Sequence, residues 1–295
     1  MNRLIWLIAS LVFYGHAQAA QVIDDSGHTL SLDSPAKRII SLAPSMTELL
    51  FAVGAGDKVV GVSEFSDYPE QASQLPIVGR YNLLDTETIL SLQPDLIVAW
   101  QSGNPRAAVE QLRNLGLTVY ISEPTTALSI ADTLEDLAAL AGTQSSGTPL
   151  ANRFRERLQQ LQEQNSQKET VSVFYQVWNS PLISVGGQEL INDIIEICGG
   201  RNIFNDLGLA PKVSTEAVLQ RAPQVIIASG MDVARPQWLD EWLAWPQMQA
   251  VANQNLYFIP PDLVQRHSPR VLQGAEQMCQ HLDAARGKNT EALLK

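Results

Sequence analysis

The sequence predicts an α/β protein built from two similar lobes, each a parallel sheet flanked by helices, joined by one long bridging helix. One pattern carries most of this, because it occurs twice: Glu87-Thr-Ile-Leu-Ser-Leu-Gln-Pro94-Asp-Leu-Ile-Val-Ala99 and Glu216-Ala-Val-Leu-Gln-Arg-Ala-Pro223-Gln-Val-Ile-Ile-Ala228. Each copy puts an acidic residue in the first turn of a short apolar-patterned helix. Each ends that helix at a proline, since the residue before a proline is pushed out of the right-handed α region. Each then runs into an almost wholly apolar strand of the kind buried in a parallel sheet. The copies lie about one domain apart, too far for a solenoid unit. Between them, Leu150, Phe154, Leu158 and Leu161 fall at helical spacing within the polar stretch 150–168. A long polar helix with a thin apolar stripe is a rigid bridge, not a flexible tether.

Taken in order, residues 1–20 read as a secretory signal peptide. Arg3 makes a basic start, Leu4 to Tyr14 is an apolar run too short to span a bilayer, and Ala17-Gln18-Ala19 fits a cleavage site. No cysteine at that junction suggests a lipid anchor. Residues 21–146 form the N-terminal lobe. It opens with a hairpin around Ser26-Gly27, followed by a strand at 38–43 and a helix from Pro44 to Gly54-Ala55-Gly56. Ser45 and Glu48 have capping-box spacing at the start of that helix. The strand 58–62, the first repeat copy, a helix at 109–116, a strand at 118–121 and a helix at 127–142 follow. Gln144 to Pro149 reads as a boundary, and residues 147–169 as the bridging helix. Residues 170–287 form the C-terminal lobe: a strand at 171–177, a helix at 190–198 ending in Gly199-Gly200, the second repeat copy, Trp238–Trp245, a strand at 256–259 and a last helix from Pro269 to about Ala285. Residues 288–295 read as a frayed tail. Strands alternating with helices in this way predict parallel sheets.

The formal net charge of −11 becomes more negative once Arg3 is removed with the leader. An acidic chain repels phosphate backbones, so nucleic acid is excluded as a partner. The two cysteines, Cys198 and Cys279, suggest a disulfide in an exported chain, two buried free thiols being the alternative. No nucleophile elbow, zincin motif or P-loop is present, and His28, His267 and His281 are not at ligand spacing. His281 reads as a surface residue. The residues thus indicate neither a catalytic set nor a metal site, and the chain is expected not to be an enzyme and to need no cofactor.

What the sequence does offer is aromatic. Tyr68, Tyr81, Trp100 and Trp178 fall at or just after expected strands, and in parallel α/β sheets that edge carries the ligand. Large rings on such loops suit a large flat ligand, core filling being the other reading. Trp238, Trp242 and Trp245 share one helical face and read as core. Asp262 and Arg266 could supply polar contacts to a ligand or pair with each other. Glu87 and Glu216 are favourable as first-turn acids through the helix dipole, and their repetition on twin lobes also suits a docking role.

Several runs carry a resemblance: Arg38-Ile-Ile-Ser-Leu-Ala-Pro44, Ser66-Asp67-Tyr68-Pro69, Pro94-Asp-Leu-Ile-Val-Ala-Trp100, Cys198-Gly-Gly-Arg-Asn-Ile-Phe204 and Ser268-Pro269-Arg270. Together they resemble the periplasmic cobalamin-binding proteins of ABC importers, the BtuF family, over nearly the whole mature chain. Siderophore- and haem-binding relatives begin similarly, and there Tyr68 or Tyr81 could serve as an iron ligand; an exported hydrolase is the reading from another class. The resemblance implies the class III periplasmic binding protein fold and a monomer in the periplasm that opens and closes little. Its ligand would be cobalamin (vitamin B12), held between the lobes by Tyr68, Tyr81 and Trp100 on one side and Asp262 and Arg266 on the other. It also implies that Glu87 and Glu216 dock on arginines of a membrane permease dimer. The family usually has tryptophan where this chain has Tyr81, and a further tryptophan expected around Ala210-Pro211 is absent.

Overall fold

The duplication extends to strand order. The computed structural model describes residues 20–80, 82–230 and 234–293; residues 1–19 of the expected signal peptide, and Tyr81, lie outside the described residues. In the first lobe, β1 (Ala20–Ile23) and β2 (Thr29–Leu32) pair antiparallel around Gly27, whose φ of 79° suits a residue without a Cβ. Then come β3 (Ile39–Ser41), α1 (Pro44–Ala52), β4 (Val59–Val62), the two-residue strands β5 (Gly79–Arg80) and β6 (Leu83–Leu84), α2 (Thr86–Ser91), β7 (Leu96–Trp100), α3 (Arg106–Asn114), β8 (Val119–Ser122) and α4 (Ala127–Ala141). After α5 (Gln144–Asn165) the second lobe runs β9 (Val171–Gln176), α6 (Leu190–Ile197), β10 (Gly200–Asn202), α7 (Thr215–Arg221), β11 (Val225–Ala228), α8 (Gln249–Ala252), β12 (Leu256–Phe258) and α9 (Val271–Leu293). The parallel sheets have orders β4-β3-β7-β8 and β10-β9-β11-β12. In each, the first strand sits between the second and the third, so the topologies are the same.

The strands are apolar on both faces because both faces are covered. In the first sheet Ile39, Leu96, Val98 and Tyr120 point into one core with α1 and α4, while Ile40, Ile97, Ala99, Val119 and Ile121 point into another with Ile89 of α2 and Val109 and Leu112 of α3. The first of these cores does not stop at the lobe boundary. It continues through Ala151, Phe154, Leu158 and Leu161 of α5 into Val171, Val173 and Tyr175 of β9, Ile194 and Ile195 of α6 and Met278 and Leu282 of α9. Each such large side chain contributes about 1.5–3 kcal/mol on burial.

The repeat is visible in backbone detail. Asp85 caps α2 by accepting from the Thr88 amide (3.0 Å), and Ser214 caps α7 by accepting from the Ala217 amide (3.2 Å). Each helix ends in a non-glycine residue in left-handed conformation just before the repeat proline, Gln93 (φ 48°) and Ala222 (φ 44°). A following proline disfavours the right-handed region, and here the chain turns through the left-handed one.

Five expectations are corrected. The bridging helix begins at Gln144, so the Ser/Gly/Thr/Pro run read as a boundary is its first turns, with Pro149 inside the helix; it ends at Asn165, before the 169 expected. Ser45 does not cap α1: Ala43 is the N-cap, Pro44 takes the first position, and Ser45 and Glu48 are both buried inside the helix. Trp238–Trp245 lies largely on a 3-10 helix, Gln237–Ala244, although its packing is as expected, with Trp242 buried and its Nε1 donating to Gln176 Oε1 at 2.7 Å. The last helix passes Ala285 and runs to Leu293. His281 is not a free surface group: its ring stacks on Tyr257 at 4.4 Å, and burial lowers its pKa.

Candidate functional site

Both sheets turn their C-terminal edges toward the gap between the lobes. In each, strand order reverses between the first and third strands, β3 and β7 or β9 and β11, and the crevice outside such a reversal is where α/β sheets take ligands. The segments leaving those edges meet across the gap. The Ala127 amide at the start of α4 donates to Asp193 Oδ2 of α6 at 2.7 Å. Burial holds the Asp193 carboxyl above its usual range.

The densest contact is ionic. Glu48 of α1 has a side chain only 2% exposed. It accepts from Ser268 Oγ (2.6 Å), Arg270 Nε (2.9 Å), Arg270 Nη2 (2.5 Å) and Arg266 Nη1 (2.9 Å), all from the segment between β12 and α9. Arg266 also reaches Asp67 Oδ1 of the first lobe at 2.7 Å and Asp262 Oδ1 of its own segment at 3.0 Å. Asp262 and Arg266 therefore do pair, and the arginine goes further, tying the two lobes together. Burial works against the charge of Arg266, yet its bonds to Asp67 and Glu48 outweigh it and hold its pKa above the usual value. Burial likewise opposes the charge on Asp67, and Arg266 wins, lowering that carboxyl. The Arg270 guanidinium lies 4.3 Å above the Tyr68 ring, a cation–π contact between the lobes.

Trp100 ends β7 at the reversal point. Its amide donates to Asn104 Oδ1 (2.7 Å), whose Nδ2 donates to the Leu42 carbonyl (3.0 Å), so the backbone beneath the indole is held to the next strand. Gly103 lies flat on the ring, where any Cβ would collide with it. The indole borders a cavity of about 720 Å³ lined from both lobes by Ser102, Glu123, Thr126, Glu189, Asn192 and His267, among others. His267 meets the indole edge-on at 6.0 Å, and burial pushes its imidazole down to about 4. Trp100 Nε1 is buried and has no hydrogen-bond partner among the described residues.

Of the sequence-derived candidates, Trp100 borders the cavity between the lobes, Asp262 and Arg266 lie in the ionic contact on the 262–270 segment, and Tyr68 lines a separate cavity with Glu48 and Arg270. Trp178 follows β9 as expected, but its Nε1 donates to the Ser180 carbonyl at 3.0 Å and its backbone bridges Ile183, so the indole folds onto its own turn. Glu87 and Glu216 each occupy the second position of their helix, both exposed. Cys198 and Cys279 are joined by a disulfide that fastens the end of α6 to α9. Phe65 was not singled out from the sequence. It is 71% exposed on the loop leading to Asp67 and Tyr68, with φ of 64°, and a bulky residue held there is strained. No residue-type signal marks such a backbone angle.

Comparison with known proteins follows the same lines. The family model described as periplasmic binding protein matches residues 39–263. A vitamin B12-binding protein of Vibrio cholerae serotype O1 is 41% identical over 85% of this chain and 91% of its own length. One from Yersinia pestis is 38% identical over 84% and 86%. The crystal structure of the periplasmic vitamin B12-binding protein BtuF of Vibrio cholerae superposes with a TM-score of 0.79 at 40% identity, covering 85% of this chain and 98% of that one. The periplasmic haem-binding protein HutB of Vibrio cholerae shares the fold, with a TM-score of 0.73 at 23% identity. On the family match and on these identities, the chain belongs to the periplasmic binding protein family.

Proposed function

We propose that this chain is a periplasmic substrate-binding protein that captures cobalamin between its two lobes and delivers it to an inner-membrane ABC importer. The observation that carries this is Trp100: a large ring at the reversal point of its sheet, bordering the cavity between the lobes. A flat corrinoid offers area for the ring. The similarity to vitamin B12-binding proteins along almost their whole length supports the choice of cargo. Tyr68, Asp262 and Arg266, which meet in the ionic contact between the lobes, are the further proposed contacts, with Tyr81 and Trp178 as candidates.

Glu87 and Glu216 are the proposed docking residues. Both are exposed at equivalent positions of equivalent helices. A pair of carboxylates on twin lobes suits two symmetry-related arginines of a permease dimer, and such charge pairs set register and orientation. The haem alternative wants a tyrosine or histidine at the iron; the face of the Tyr68 ring carries the Arg270 guanidinium.

Purified mature protein incubated with cyanocobalamin and then desalted is expected to keep the corrinoid absorption bands, and calorimetry to give one site per chain. Loss of all corrinoid on desalting, with tight binding of haemin or a ferric siderophore in parallel, overturns the assignment.

A further inference from the structure

We infer that Glu48 is a positioning residue of the cleft: one buried carboxylate that anchors the segment carrying Asp262 and Arg266 and clasps the two lobes together. The inference rests on the reading of this cleft as the cobalamin site. Glu48 lies on α1 of the first lobe, yet all four hydrogen bonds to it come from residues 266–270 of the second lobe. A carboxylate with a side chain 2% exposed is stable there only because both oxygens are satisfied and two guanidiniums balance its charge. Oε2 takes Ser268 and Arg270, and Oε1 takes Arg270 and Arg266. The segment is thus held at its centre by a rigid helix. Arg266, fixed at one end by this contact, is aimed at Asp67 and Asp262 at the gap; Arg270, fixed by the same contact, lies over Tyr68. Glu48 itself touches no cargo in this scheme. It acts through Arg266 and through the angle between the lobes.

Removing the charge takes from both guanidiniums the buried carboxylate they share, leaving Arg266 to Asp67 and Asp262 and Arg270 to a longer contact with Asp262 at 3.8 Å, so the segment loses its hold on the first lobe's helix. Stopped-flow mixing with cyanocobalamin, read by tryptophan quenching, is expected to show Glu48→Gln releasing corrinoid at least tenfold faster than the wild type, with Glu48→Asp within about threefold of it. A purely structural role would lower the melting temperature and leave the release rate of the folded protein alone. The decisive comparison is therefore a cycle: Arg266→Ala is expected to speed release in the wild-type background and to add little in Glu48→Gln. Full additivity, or an unchanged release rate in Glu48→Gln, overturns the inference. If that variant does not fold, Arg270→Gln removes two of the four donors and is expected to act in the same direction, an unchanged release rate again overturning the inference. If wild-type protein retains no corrinoid, the functional reading fails separately, and hydrogen exchange decides the clasp. Faster amide exchange across 262–270 in Glu48→Gln then supports it, and unchanged exchange overturns it.

Discussion

Asp95 and Gln224, each the residue after a repeat proline, make the same contact in their own lobes. The Asp95 amide donates to the Arg38 carbonyl at 2.9 Å, and Asp95 Oδ1 accepts from the Arg38 amide at 2.9 Å. The Gln224 amide donates to the Ser172 carbonyl at 3.0 Å, and Gln224 Oε1 accepts from the Ser172 amide at 2.8 Å. Each thereby ties the exit of its helix to the start of the first strand of its sheet. The helix must then begin toward the other end of the sheet, and there Glu87 and Glu216 stand exposed at the second position of each helix, outside the lining of the cavity between the lobes.

The double change Glu87→Ala, Glu216→Ala is therefore expected to leave cobalamin titration in solution intact while weakening assembly with the importer and slowing uptake by cells. Single changes should do so less. Normal uptake by the double variant would reduce both glutamates to helix-start residues.

Trp100→Ala is expected to weaken cobalamin binding by roughly 2 kcal/mol, about thirtyfold, as for a desolvated aromatic anchor. Trp242→Ala should separate from it cleanly. That ring is 4% exposed in the outer core of the second lobe, so its loss should cost about 3–5 kcal/mol of stability and spare affinity in the folded protein. Calorimetry and urea unfolding of the two variants check the contrast, which fails if Trp100→Ala binds as the wild type does.

At Phe65 the two properties should move in opposite directions. Phe65→Gly relieves the left-handed strain, which is worth about 1 kcal/mol, and removes an exposed ring from the loop that leads to Asp67 and Tyr68. A higher melting temperature with weaker cobalamin binding is expected. Unchanged binding would mean that the ring faces something other than cargo.

Reducing the Cys198–Cys279 bond frees a loop of 81 residues. Chain entropy assigns such a closure ~4–5 kcal/mol. The melting temperature should fall, and the protein that is still folded should bind as before, because neither cysteine lines the cavity between the lobes. Alkylation that finds two free thiols in protein taken from the periplasm would contradict this.

Acid should act through two groups of opposite sign. Burial lowers His267 from 6.5 to about 4; the unfolded chain therefore takes up a proton first, and stability is lost as pH falls through that interval. Burial, reinforced by Asp25, Asp132 and Glu135, raises Asp136 from 3.8 to about 6. There the folded chain holds the proton longer, and stability falls as pH rises through about 4 to 6. Asp136→Asn should accordingly stabilise the protein at pH 7 by roughly 1 kcal/mol, allowing for solvent screening of a partly exposed carboxyl, and by much less at pH 4. Urea unfolding at the two pH values checks this; equal stabilisation at both would discard the assignment to Asp136.

The sheets and the repeat were legible because their signals are local: apolar runs, prolines at matching offsets, glycines where helices end. The site was only half legible. Trp100, Tyr68 and Trp178 were all singled out as rings past a strand, a rule that says nothing of how each side chain turns: Trp100 borders the cavity between the lobes, Tyr68 lies under Arg270, and Trp178 donates to the Ser180 carbonyl of its own turn. Glu48 misled for the opposite reason. Its spacing from Ser45 suggested a helix cap, but Pro44 takes the first helical position and moves Glu48 a turn inside, opposite arginines more than two hundred residues away in sequence. A contact of that range leaves no trace in local spacing, nor does the backbone angle of Phe65.

The single crossing between the lobes has a mechanical consequence. A pair of slack strands would let the halves swing for almost nothing; here they are joined by a helix packed against α4, α6 and α9, with one apolar core running through all of them. Parting the halves means bending that rod and shearing its packing, so thermal motion alone opens the molecule little. Cargo held this way leaves slowly unless torque is supplied from outside. The two exposed carboxylates, Glu87 and Glu216, stand one on each half, so a membrane partner holding both would grip the two halves separately.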